Sequence, residues 1–458
     1  MALTAGCFQE KSFPLRMDQV EILGPGGAGS MSRNASTRSW LVETHDRLEH
    51  FLPREKHGAL LTDDLTDAKG QALDVFAHFE EKPESLGKVI PNLRAYLNTA
   101  QSVSSGDSID NPPAPWDHFA KIWVPVAPDV EVSAFLGLAR EGDRVKQADC
   151  IVVLAGMLGD NETLRTRDLS VGLRSAGFHV LALEMRGQGQ TEAVYPEVPH
   201  CYGVLETVDL LKLSEWLTDL PHVRRTGLIG FSWGANMAVL VSWLDGCGMV
   251  HPNIKPPIKR HLEAVRDRSH YSAGIMACSP VLDWETLMDQ LDEPISFTQD
   301  PTRSFVQNTV RNRAKRKGYS GIGGNLRLLI DQEFNHSVFT DDFPTPDRYE
   351  FLRLRPYRDF LAGDKLEHAR VPTLIVHGAD DPLASAQNIA DLIATTKNPN
   401  VAAVILPGGG HVGFAPYSSR YFYSLMVNFF RRESAPDPSA AAQAVQQAMG
   451  DRRESLFQ

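Results

Sequence analysis

The hydrophobic pattern of this 458-residue chain changes character partway along its length. Between about residues 40 and 100 apolar positions return roughly every 3.6 residues, so Leu65, Ala68, Ala72, Phe76 and Phe79 share one helical face. This predicts a small helical N-terminal extension over 39–100. From Phe119 onward the apolar positions bunch into short runs. Residues 119–124 and 130–135 flank the turn Ala127-Pro128-Asp129 and read as two hairpin strands. Further runs follow at 151–154, 179–183, 227–230, 273–276, 373–376 and 403–406, each trailed by a helical stretch. Strands alternating with helices predict an α/β protein with an eight-stranded, mostly parallel sheet covered on both faces.

One interval breaks this rhythm. Roughly ninety residues separate the run at 273–276 from that at 373–376, far more than a crossover connection needs. We read 283–367 as a helical cap insertion and 116–282 with 368–432 as the core. A smaller insertion, 251–270, is rich in Pro and basic residues. Residues 1–38 are rich in Gly, Ser and Ala and read as disordered or linker, 101–115 as linker, and 433–458 as a flexible tail. The glycine-rich stretch at 24–29 has a phosphate loop's composition, but no convincing strand enters it and no helix leaves it.

Composition removes several classes. The net charge of −11 argues against a general nucleic-acid binder, because phosphate recognition needs clustered positive charge. The five cysteines are odd in number and contain no C-x-x-C pair, which argues against a disulfide framework or a zinc site. Such usage suits a reducing compartment and predicts a cytoplasmic protein. Leu3 to Cys7 has the outline of a lipoprotein cleavage box, but no basic or apolar segment precedes it. No run of about 18 apolar residues occurs, so no transmembrane segment supports membrane association.

The chemistry sits at three points. Gly230-Phe231-Ser232-Trp233-Gly234 is a G-x-S-x-G sequence, entered by an apolar run and left by a plausible helix. A serine in a strained strand-to-helix turn projects its oxygen into a cleft, and Gly230 and Gly234 let strand and helix pass closely. A serine hydroxyl needs a base to take its proton, and the base needs a carboxylate to hold its tautomer. In this arrangement the chain order is Ser, acid, His. His411 lies among glycines just past the last strand. Asp381 follows the strand at 373–376, and both would reach the carboxyl edge of the sheet. Asp380 and Asp283 remain rival acids, and His377 reads as structural. The loop after the run at 151–154 offers the backbone N–H of Met157, which with that of Trp233 forms a candidate oxyanion hole. Arg186 reads as a brace for the loop that follows the strand at 179–183.

Trp284, Leu287, Met288 and Leu291 fall at helical spacing at the head of the cap. They suit either an acyl tunnel or packing of the cap on the core. Arg311, Arg313, Lys315, Arg316 and Lys317 form a basic run, which reads as a solvated helix face more readily than as a phosphate or membrane site.

Together these motifs resemble the α/β-hydrolase branch containing the embryogenesis-associated and ABHD-type serine hydrolases. The resemblance rests on Ser232-Trp233-Gly234-Ala235-Asn236, Gly409-Gly410-His411-Val412-Gly413-Phe414, Asp380-Asp381-Pro382 and Arg186-Gly187-Gln188-Gly189. It covers about residues 118–432. Ala155-Gly156 departs from the His-Gly usual in that branch, and Trp233 replaces a small or aliphatic residue. The resemblance implies an α/β-hydrolase fold and ester chemistry on a small-molecule ester or lipid, without metal or organic cofactor. It leaves open a carboxylesterase or lipid acyl hydrolase and an alcohol O-acyltransferase. A non-catalytic binding protein is the alternative of another class. The sequence is silent on oligomeric state.

Overall fold

The apolar runs become strands β1 (Phe119–Ala127), β2 (Val130–Gly137), β3 (Ala148–Leu154), β4 (His179–Leu183), β5 (Val223–Phe231), β6 (Gly274–Cys278), β7 (Thr373–Gly378) and β8 (Val401–Leu406). A computed structural model describes residues 12–23, 36–53, 60–61, 95, 99, 114–157, 159–198, 200, 203–247, 256–292, 301–335 and 366–432. The strands lie in the order β8-β7-β6-β5-β3-β4-β2-β1. β3 to β8 run parallel, while β2 is antiparallel to both β4 and β1. The eight-stranded, mostly parallel sheet is therefore present. The two-residue strand Leu60–Leu61 extends it by pairing antiparallel with β8. That segment falls where a helical extension was expected; two residues carry no period by which to read them.

Helices fill the connections in chain order. α1 (Thr37–Leu48) precedes the sheet, and α2 (Leu164–Ser175) joins β3 to β4. α3 (Gly189–Val194) and α4 (Val204–Thr218) join β4 to β5, and α5 (Trp233–Cys247) and α6 (Pro256–Leu262) join β5 to β6. α7 (Trp284–Asp292), α8 (Pro301–Arg316) and α9 (Leu326–Asn335) lie in the long β6–β7 connection. α10 (Ala386–Thr395) joins β7 to β8, and α11 (Phe414–Arg431) follows.

Successive residues of a strand face opposite sides, so a sheet covered twice needs apolar residues at every position. Val152, Leu228 and Ile375 face a core shared with Leu210 of α4, Val239 of α5 and Ile389 of α10. Their neighbours Val153, Ile229 and Val376 face a second core with Trp40 of α1, Leu169 of α2 and Phe429 of α11.

The N-terminal expectation needs correction. Residues 12–23 are not linker: Ser12 Oγ and the Phe13 N–H both donate to Asp168 Oδ2, at 2.7 and 2.9 Å. Leu15 is buried against α2, where a Cβ on Gly172 would stand 2.3 Å from that of Leu15. Asn428 of α11 accepts from the Leu23 N–H and donates to the Glu21 carbonyl. A few isolated apolar side chains, anchored by backbone polar groups, hold this segment without any period. The apolar stripe from Leu65 to Phe79 lies outside the described residues, as do 293–300, 336–365 and 433–458.

The basic run is also corrected. Arg313 is 1% exposed and donates to Glu192 and Glu333, and to the Gly187 carbonyl at 2.8 Å. Lys317 stands 3.4 Å from Glu192 and donates to the Pro196 carbonyl at 2.8 Å. These two cations pin α8 to the loop and helix after β4, so only part of the run is a solvated face. Removing one partner of a buried ion cluster leaves the remaining charges uncompensated. Arg313→Ala should therefore lower stability by about 3–5 kcal/mol, seen as an earlier midpoint in urea. An unchanged midpoint would show that water reaches the two carboxylates.

Candidate active site

β5 ends at Phe231 and α5 starts at Trp233, leaving Ser232 alone at the turn with a left-handed φ of 53°. This conformation is strained for a residue with a Cβ and persists only where its surroundings fix it. They do so here: the Ser232 N–H donates to the Cys278 carbonyl at 2.9 Å, and its carbonyl accepts from the Asn236 N–H at 3.1 Å. The flanking glycines are required sterically. A Cβ on Gly230 would lie 2.0 Å from the Gly234 carbonyl oxygen, and one on Gly234 would lie 2.5 Å from that of Ala155.

The loop after β8 brings His411 to this serine. His411 Nε2 lies 2.7 Å from Ser232 Oγ, and its Nδ1 lies 2.8 Å from Asp381 Oδ2. His411 and the Asp381 side chain are both buried. The other carboxylate oxygen, Oδ1, accepts from the Leu383 and Ala384 N–H groups at 2.8 and 3.0 Å. Burial alone would raise the Asp381 carboxyl. The charge and hydrogen bond of His411, the nearby His377 and the Leu383 N–H outweigh it and hold the group below its ordinary value. Asp381 thus stays ionised beside the imidazole. Of the rival acids, Asp380 faces elsewhere: its Oδ1 accepts from the Gly410 N–H at 2.7 Å. Asp283 precedes α7, where its backbone carbonyl accepts from the Leu287 N–H. His377 is fully buried, with Nε2 3.0 Å from the Ala384 carbonyl, and burial lowers its pKa.

A serine on the turn after the fifth sheet strand and a histidine after the last are the arrangement that the motifs resemble. The alpha/beta hydrolase family matches this chain over residues 151–421. The chain belongs to the α/β-hydrolase family. Three curated relatives of this hydrolase-family chain are distant. An abhydrolase domain-containing protein of Dictyostelium discoideum is 21% identical over 55% of this chain and 58% of its own length. Medium-chain fatty acid ethyl ester synthase/esterase 2 of Saccharomyces cerevisiae is 22% identical over 58% of this chain and 57% of its own length. Embryogenesis-associated protein EMB8 of Picea glauca is 18% identical over 63% of this chain and 59% of its own length. The chain thus spans less than two thirds of the length of each.

The hydrolase-family loop after β3 lies against the serine: a Cβ on Gly156 would meet Ser232 Cβ at 3.4 Å and Oγ at 3.8 Å. The Gly156 carbonyl accepts from Gln188 Nε2 at 3.0 Å and from the Gly159 N–H at 3.1 Å. The carbonyl and N–H of one peptide unit point in opposite directions. Gln188 therefore fixes the direction of the Met157 N–H. Trp233 opens α5, so its N–H lies in the first turn of that helix, directly after Ser232. Glu184 links the same two loops, accepting from the Asn161 and Gln190 N–H groups at 3.2 and 3.0 Å. Arg186 forms a two-nitrogen pair with Asp209 of α4 and braces its loop.

Several of these contributors were not read from sequence. Asn236 clamps α5 to the loop after β6, accepting from the Val281 N–H at 2.9 Å and donating to its carbonyl at 2.5 Å. Its presence four residues after Ser232, on the same face of the helix, was the available signal. Gln188 gave none beyond its place between glycines. In the long β6–β7 connection, Trp284 packs edge-on to Trp233 with ring centroids 4.8 Å apart. Leu287, Met288 and Leu291 are buried with it in the first core, so α7 packs on the sheet's helices rather than standing free. Among the described residues no helix is long and apolar enough to cross a membrane, and no cluster of His, Cys, Asp or Glu is placed to hold a metal ion.

Asp380 makes a pH-dependent contribution to stability. Burial, with the neighbouring Asp381 charge, pushes its carboxyl up to about 7, against its hydrogen bonds to Gly410 and Gly409. The folded state then holds a proton that the unfolded chain releases near its ordinary value of 3.8. Stability from this group is present below that value and is lost as pH rises through about 7. Asp380→Asn keeps the acceptor for Gly410 and removes the titration. It should raise the thermal midpoint by roughly 5 °C near pH 8 and change it little near pH 3.5. A gain of equal size at both values would assign the effect to packing instead.

Proposed function

We propose that this protein is a serine hydrolase that cleaves a carboxylic ester through an acyl-enzyme on Ser232. The hydrogen-bonded chain from Ser232 Oγ through His411 to Asp381 supports this reading above all. His411 Nε2 takes the serine proton as Oγ bonds to the ester carbonyl carbon. The carbonyl oxygen becomes an oxyanion, held by the Met157 and Trp233 N–H groups. The carbonyl re-forms, the alcohol leaves with the proton from His411, and the serine ester remains. Water repeats the sequence, with His411 taking its proton and returning it to Ser232 as the acid departs. Asp381 holds the imidazole tautomer and balances its positive charge without itself accepting the proton. The connection between β6 and β7 is proposed as the cap over this site, and the substrate as a small-molecule ester or lipid.

A fluorophosphonate probe tests the reading. It should label the protein at Ser232, and p-nitrophenyl esters of increasing chain length should then show the acyl preference. Absence of both labelling and ester turnover would favour a non-catalytic binding protein. A second reading has specific support, since one relative is named an ethyl ester synthase/esterase. If the acyl group passes to alcohol, added ethanol should divert product from acid to ethyl ester at the same Ser232.

A further inference from the structure

We infer that Thr99, from the segment preceding the hydrolase core, is a positioning residue for His411. The inference rests on the serine-hydrolase reading above. The loop from Gly408 to Gly413 carries His411, and its backbone is unusual on both sides of that residue. Gly409 and Gly410 have φ of 125° and 57°, and Val412 has 62°. Two glycines directly before the imidazole give that stretch the widest choice of conformations in the unbound chain. Something outside the loop must select one.

Three consecutive N–H groups of the loop each donate to a side-chain oxygen from a different part of the chain. Gly410 donates to Asp380 Oδ1 at 2.7 Å, His411 to Thr99 Oγ1 at 2.8 Å and Val412 to Ser279 Oγ at 3.3 Å. Asp380 adjoins Asp381 just past β7. Ser279 adjoins Cys278, whose carbonyl holds the Ser232 N–H. These two partners tie the loop to the acid and to the serine. Thr99 lies outside the family match at 151–421, yet it bonds the N–H of His411 itself. Both residues are about 2% exposed, so water does not readily replace the contact. The approach is close: a Cβ on Gly410 would lie 2.5 Å from Thr99 Oγ1 and 2.4 Å from the Ala95 carbonyl oxygen. The bond fixes the plane of the peptide that carries the His411 Cα, and so the direction in which the imidazole leaves the backbone.

Removing the hydroxyl leaves a buried N–H without its partner and frees that peptide to rotate. A small displacement of a proton-transferring group can reduce turnover by up to about 100-fold. Thr99→Val should therefore lower kcat on a p-nitrophenyl ester by about 10- to 100-fold, with KM nearly unchanged. Thr99→Ala should show the same loss, and Thr99→Ser, which keeps the oxygen, should restore turnover to within about 3-fold of the parent. Turnover is expressed per serine labelled by fluorophosphonate, so a partly unfolded sample does not imitate the effect. Equal kcat per labelled serine in the Val, Ala and parent proteins would overturn the proposal, as would failure of the Ser variant to recover. If the parent neither labels nor hydrolyses an ester, the hydrolase reading fails first and carries this inference with it.

Discussion

Ser232→Ala should hydrolyse an activated ester about 10⁶-fold more slowly than the parent, provided that the serine, histidine and carboxylate act as one unit. The substitution removes the Oγ that lies 2.7 Å from His411 Nε2. It leaves the turn otherwise as it was. Alanine carries the same Cβ into the left-handed conformation, φ 53°, so backbone strain is matched between the two proteins. The thermal midpoint should accordingly stay close to the parent's. Initial rates with p-nitrophenyl acetate and a melting curve measured together separate lost chemistry from lost fold. Adding His411→Ala to Ser232→Ala should lower the rate little further, because a base with no nucleophile to serve contributes nothing. The rate that survives should still exceed that in water by about 10³ to 10⁴, if N–H groups at the site continue to hold an oxyanion. A Ser232→Ala protein with nearly parental turnover would reject the assignment.

The parts of this molecule that could be read from sequence are those in which one local pattern determines the outcome. The inner strands were legible because burial on both faces demands apolar residues without interruption, as Leu228 and Ile229 show by facing opposite cores. Ser232 was legible because close passage of strand and helix excludes a Cβ at both Gly230 and Gly234. Arg313 was misread because its partner Glu192 is 121 residues away, and nothing local distinguishes a buried guanidinium from an exposed one. Residues 12–23 were misread for a related reason: their anchors, Asp168, Ser424 and Asn428, belong to helices far along the chain. Sequence favoured Asp381 as the acid but left the adjacent Asp380 as a rival. Two adjacent carboxylates past one strand end differ only in the direction that the turn gives each side chain.

That direction makes Asp381→Asn the most discriminating substitution at the site. Asp381 Oδ1 accepts from the Leu383 and Ala384 N–H groups, while Oδ2 faces His411 Nδ1 at 2.8 Å. An asparagine placed there must keep its carbonyl oxygen on the two backbone donors, since an amide nitrogen cannot accept from them. Its NH₂ is thereby turned toward His411. The imidazole can meet a donor only by leaving Nδ1 unprotonated, which puts its proton on Nε2, facing Ser232 Oγ. A nitrogen already carrying a proton cannot take one from the serine. Turnover should fall by about 10⁴ although every side chain keeps its position. Asp380→Asn faces no such conflict, because its oxygen continues to accept from Gly410. Measured side by side as kcat/KM on one ester, the two isosteric variants should differ by about four orders of magnitude. A large loss in Asp380→Asn or in Asp283→Asn, with Asp381→Asn within tenfold of the parent, would move the acid to that residue, because the tautomer of His411 would then be held by a carboxylate other than the one at 2.8 Å.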